Sequence, residues 1–141
     1  MRNLFKNKAG FTMVELMVVV IIVGILAAAA IPLYQANIKR AIRTEAEATL
    51  GAIRSAERIY KSEFNTYTAA TSTQVGTVLG VDVSDPHYFD AACYDVTSTA
   101  ADSFSARCTV NTTGTAPGSA QAKRYFTGIV FTMNEEGTIA P

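Results

Sequence analysis

The chain carries an almost unbroken apolar run from Phe11 to Leu33, FTMVELMVVVIIVGILAAAAIPL, with Glu15 as its single charge. Wound as an α-helix at about 1.5 Å per residue, it measures roughly 35 Å, enough to cross a bilayer core of about 30 Å. A short leader, MRNLFKNKAG, precedes it and holds Arg2, Lys6 and Lys8 with no acid. Whatever follows must be something that such a helix anchors or assembles. A length of 141 residues leaves room for one modest globular unit beyond it.

Three readings compete for residues 1–33. The first is a cleaved secretory signal, with Ala27 to Ala30 as the small-residue site. The length of the apolar core, the carboxylate at its front and the uninterrupted helical register beyond the alanines oppose it. The second is a plain signal anchor. Charge alone does not settle its orientation, because Lys39, Arg40 and Arg43 lie on the far side from Arg2, Lys6 and Lys8. The third accounts for Glu15. A carboxylate costs on the order of 3 kcal/mol at the bilayer centre and less near the interface. There its side chain can simply snorkel to water. Alternatively, a cut between Gly10 and Phe11 creates an α-amino group about a turn away. In an array of identical helices, the amine of one copy then meets Glu15 of the next. An unpaired charge in such a bundle is costly, and a paired one sets register.

Lys8-Ala9-Gly10-Phe11-Thr12-Met13-Val14-Glu15-Leu16 resembles the class III signal of type IV pilins and pseudopilins, with Met13 in place of the commoner Leu. The strong match covers about residues 6–34, and weaker similarity continues to about Phe64. The resemblance implies cleavage after Gly10 by a prepilin peptidase and N-methylation of Phe11. It implies that Glu15 neutralises the N-terminus of a neighbouring subunit during assembly. Gly24 and Pro32 sit where this family places helix-weakening residues. The implied partners are identical or homologous pilin subunits, the peptidase, an inner-membrane assembly platform, and membrane lipid before assembly. The implied location is the bacterial inner membrane as a single-pass precursor, then an extracellular pilus or a periplasmic pseudopilus. Adhesion, twitching movement and DNA uptake are family uses that the residues do not distinguish. A type II secretion pseudopilin is the close alternative. A signal-anchored periplasmic binding or enzymatic domain is the alternative from another class.

Inside a helix, Pro32 removes the hydrogen bond to the carbonyl of Ala28 and crowds that turn. This predicts a kink or, by family analogy, a stretch from Gly24 to Pro32 that melts in a filament. From Tyr34 the pattern turns amphipathic. Ile38, Ile42, Ala46, Leu50, Ile53, Ala56, Tyr60 and Phe64 step by three or four and form one stripe. Most charges fall off that stripe and read as a solvated face, with Arg43–Glu47 and Glu57–Lys61 at ion-pair spacing. Asn65 is the expected stop. The expected domains are a cleaved leader at 1–10, a membrane or filament-core helix at 11–33, an amphipathic helix at 34–65 and a β-rich head at 66–141.

Residues 68–86 read as loop, with a short helical turn at Thr73 to Leu79. Tyr88 to Thr97 is predicted as a strand. Phe104, Ala106, Cys108 and Val110 alternate with Ser105, Arg107, Thr109 and Asn111, as a half-buried antiparallel strand requires. Ala100-Ala101-Asp102 supplies the turn between them. A loop is expected from Thr112 to Ala122, a strand from Tyr125 to Met133, a turn at Asn134 to Gly137 and a short edge at Thr138 to Ala140. The predicted fold is α+β and pilin-like: one long N-terminal helix packed on a small antiparallel sheet. Cys93 and Cys108 would then lie on neighbouring strands. A bridge there would close a loop worth roughly 3 kcal/mol in the chain-entropy model, and two buried free thiols are the alternative. In the family the second cysteine of a disulfide lies near the C-terminus, which Cys108 does not.

The residues offer little catalytic chemistry, and no enzyme activity or cofactor is expected. His87 is the only histidine, so neither a Ser-His-Asp set nor a zinc site can be argued. Asp82, Asp85, Asp90 and Asp95 lack a calcium-loop spacing and read as solvated acids. No metal site is expected. Lys123-Arg124 beside Tyr125-Phe126 reads as a surface pair at the start of a strand. The formal charge is +0, and without the leader nine basic residues face twelve acidic ones. That mild acidity argues against general nucleic-acid binding by the body.

Overall fold

The structure is a computed structural model that describes residues 10–84, 87–110 and 116–140, with the backbone alone at 99 and 100. The chain divides into two compact units, Met1–Asn37 and Ile38–Pro141. The longest element is α1, Met13–Phe64, of 52 residues. It is helical throughout, Gly24, Pro32 and Gly51 included. The first unit holds its apolar part, and among the described residues none of its side chains is buried. The predicted leader lies outside the described residues apart from Gly10.

The second unit has a closed core. The α1 residues Ile42, Ala46, Leu50 and Ile53 are fully buried, as the apolar stripe requires. Helix α1 stops where predicted. Asn65 takes φ 56, a left-handed position that Asn tolerates, and its N–H donates to the Lys61 carbonyl at 2.8 Å. Lys61 then caps the turn ahead of it, donating to the Ala101 carbonyl at 2.7 Å and pairing with Asp102 at 2.5 Å. Its ammonium also lies over the Tyr67 ring.

Four strands form one antiparallel sheet in the order β1-β2-β3-β4: Tyr94–Ala100, Ser103–Thr109, Val130–Asn134 and Ile139–Ala140. The register sets Tyr94 opposite Cys108 and Cys108 opposite Phe131. One row of inward side chains therefore crosses three strands. Phe104, Ala106, Cys108, Phe131 and Met133 face the core that contains the α1 stripe. Two short helices complete the unit, α2 at Gln74–Val78 and α3 at Ser119–Phe126. The free edge of β1 is partly covered by a bridge between Ala70 and Val96, which exchange bonds of 3.0 and 2.8 Å.

Several expectations are corrected. The first strand begins at Tyr94, because the N–H groups of Tyr88 and Phe89 are taken by the Glu45 carboxylate, at 2.8 and 3.0 Å. A 3₁₀ turn, Ala91–Cys93, follows, with the Cys93 N–H on the Asp90 carbonyl. Ser119 to Ala122 is helix rather than loop, and Tyr125 and Phe126 end α3 rather than begin a strand. Ala, Gln, Lys and Arg there are strong helix formers, and Ala122 is the residue that α3 buries. Glu57 does not pair with Lys61. It is fully buried, with Oε2 accepting from the Thr68 N–H at 3.1 Å and Oε1 without a partner. Phe64, expected on the stripe, is 59% exposed. Arg54 is not merely solvated: it donates to the Glu135 carbonyl at 2.9 Å and lies against Gly137, whose φ of 87 suits a residue without Cβ. Arg43–Glu47 forms as expected, at 2.6 Å.

Candidate functional site

The start of α1 is built by four residues. Thr12 is the cap. Its hydroxyl oxygen accepts from the Glu15 N–H at 3.2 Å, and its own N–H donates to Glu15 Oε2 at 3.0 Å. The Thr12 hydroxyl also donates to Glu15 Oε2 at 2.8 Å. This reciprocal pair is a capping box: it satisfies otherwise orphaned N–H groups and sets a carboxylate at the positive end of the helix dipole. Glu15 therefore has a partner inside its own chain, at the Thr-x-x-Glu spacing of a capping box. Gly10 and Phe11 precede the cap and are exposed, Phe11 at 82%, and a Cβ on Gly10 would meet nothing within 4 Å. An amine freed at Phe11 would stand next to Thr12, whose N–H already addresses Glu15.

Beyond the cap, the face of α1 from Met13 to Leu33 is a continuous apolar surface. Gly24 has open space where a side chain would be, and Pro32 sits within helix. The two cysteines are buried at 4% and 0% exposure and are free thiols in the structure. Cys108 lies on β2, and Cys93 closes the 3₁₀ turn instead of lying on a strand. Burial first, then the neighbouring Cys93, pushes the Cys108 thiol well above its ordinary range, so it stays protonated.

The acids singled out from the sequence do not converge. Asp82 accepts from the N–H and hydroxyl of Ser84, Asp90 from the Ala116 N–H, and Asp95 pairs with Arg107 across the sheet. Asp85 lies outside the described residues. Among the described residues, no three potential metal ligands gather in one place. His87 packs edge-on against Tyr88. Lys123 and Arg124 occupy the last turn of α3, not a strand start.

A family model described as the prokaryotic N-terminal methylation motif matches residues 5–31. The chain carries the class III prepilin signal. The matched residues include Gly10 and Phe11, the Thr12–Glu15 cap and most of the apolar run. The chain is also 45% identical over 58 residues to the type IV major pilin protein PilA of Myxococcus xanthus, a stretch covering 41% of this chain and 26% of that protein. It is 49% identical over 51 residues to a fimbrial protein of Pseudomonas aeruginosa, covering 36% of this chain and 33% of the relative. The chain thus spans about a quarter to a third of the length of the curated relatives it matches. The long apolar helix followed by a four-stranded antiparallel sheet is a pilin-like α+β arrangement.

Proposed function

We propose that this chain is a structural subunit of a type IV pilus, made as a membrane-anchored precursor and polymerised through residues 11–33. The observation that carries this reading is the match of the methylation motif to a helix whose apolar surface the chain leaves wholly uncovered. The names of the relatives, a major pilin and a fimbrial protein, support a pilus rather than a secretion pseudopilus. In this reading a prepilin peptidase cuts after Gly10 and methylates Phe11. The bilayer covers the apolar helix first, and neighbouring copies cover it after extraction by an inner-membrane platform. Glu15 exchanges part of its Thr12 contact for the Phe11 amine of another copy, which fixes axial register. Gly24 and Pro32 are the positions where the helix yields. The chain performs no catalysis of its own, and the head forms the outer surface of the fibre.

Mass spectrometry of the mature N-terminus tests this directly. Methyl-Phe11 is the expected first residue. An N-terminus near Ala30 would mean ordinary secretion, and retention of residues 1–10 would mean a signal anchor.

A further inference from the structure

The second unit brings together cations that are far apart in sequence. Of the nine basic residues after the leader, five are Lys39, Arg40, Arg43, Lys123 and Arg124. The fold draws one member of each group onto one ring: the Lys39 ammonium lies 5.3 Å and the Arg124 guanidinium 5.8 Å from the centre of Tyr125. Like charges are thus brought onto one aromatic from elements 85 residues apart in sequence. Two nearby acids are engaged elsewhere. Glu47 pairs with Arg43, and Glu45 is committed to the Tyr88 and Phe89 N–H groups. Among the described residues, Lys39, Arg40 and Arg124 have no carboxylate within ion-pair distance, and all three are exposed.

We infer that Lys39 and Arg124, held at the Tyr125 ring, together with Arg40 next to Lys39 in sequence, bind the anionic phospholipid headgroups of the bilayer that holds residues 11–33. Chain length sets the depth. Lys39 follows Leu33 by six residues, about 9 Å of helix, and the headgroup layer extends about 5–8 Å beyond the hydrocarbon core. A lysine or arginine stem easily spans the difference. Tyr34, 68% exposed directly after the span, is the aromatic type that favours this interface. The Tyr125 ring holds Lys39 and Arg124 near each other without neutralising either charge, and both side chains stay exposed. In this state the head is held at the membrane by salt-sensitive contacts that extraction must release.

The inference rests only on the membrane-embedding part of the proposed function, not on polymerisation. The test reconstitutes the full chain in vesicles of phosphatidylcholine alone or with phosphatidylglycerol, and follows hydrogen exchange over Ser119–Phe126. Flotation with both vesicle types establishes the embedding separately from headgroup recognition. Exchange at this segment is expected to slow about five-fold or more with phosphatidylglycerol. It should return to the phosphatidylcholine rate in the combined Lys39→Gln, Arg40→Gln, Arg124→Gln variant, and in about 0.5 M salt, where the screening length falls to roughly 4 Å. Arg58→Gln, a change at another exposed cation, should leave the protection intact. Equal exchange in both lipids, or protection that survives the triple substitution, overturns the inference. Protection that needs added duplex DNA or crowded protein in neutral vesicles overturns it in favour of nucleic acid or a neighbouring copy.

Discussion

Helix α1 presents the same backbone in two different circumstances. Its second half buries Ile42, Ala46, Leu50, Ile53 and Glu57 against the head, while its first half buries nothing. The sequence composition inverts this order, since the exposed half is the more apolar one. A fold driven by burial would not leave that surface open in water. The difference teaches that the second half finds its cover within the chain, whereas in the proposed function the apolar half takes its cover from lipid and then from other copies.

The sharpest way to break this comparison is at Glu15. Replacing Glu15 with Ala is expected to preserve cleavage after Gly10 but to reduce fibres about ten-fold or more, since a buried amine would be left unpaired. Electron microscopy of cells expressing only the variant reads the outcome, and normal fibres would remove Glu15 from assembly. The next effect separates the two halves energetically. Leu50→Ala should destabilise the head by about 2–5 kcal/mol in denaturant melts of the full chain in detergent. Val20→Ala should leave that melt unchanged.

How much of this was legible follows from where each residue's partner lies. Period alone marked Ile42, Ala46, Leu50 and Ile53, because a helix reports its buried face every three or four residues. The β2 alternation was equally plain. The i,i+4 spacing of Glu57 and Lys61 suggests a solvated ion pair, yet its place four residues after Ile53 puts Glu57 on the buried stripe. The late start of β1 was hidden because Glu45, more than forty residues upstream, holds the Tyr88 and Phe89 N–H groups. The α3 helix lost to the β-propensity of its two final aromatics. At the site, Glu15 stood out by charge alone, while its cap at Thr12 needed the local helix start to be read as well.

Glu57 gives a smaller and pH-dependent effect. Burial raises its pKa above the ordinary glutamate value, against a lowering by the Thr68 N–H. A carboxyl that holds its proton more tightly when folded favours the fold at low pH. It costs stability as pH rises from the unfolded value through the raised folded one. Head melts should therefore weaken over that window, and Glu57→Gln should flatten the decline. An unchanged slope would show that Glu57 ionises without cost. The smallest effect is at the cap. Thr12→Val should cost about 1 kcal/mol and let the first turn fray, seen as faster exchange at Met13 to Leu16, with the head melt unaffected.

The most direct measurement of the central claim is electron cryo-microscopy of assembled fibres. The account predicts residues 11–33 of neighbouring copies packed together along the axis, with the Phe11 amine of one copy within ion-pair reach of Glu15 on another. Fibres in which the apolar helices face solvent, or in which no amine approaches any Glu15, would contradict it.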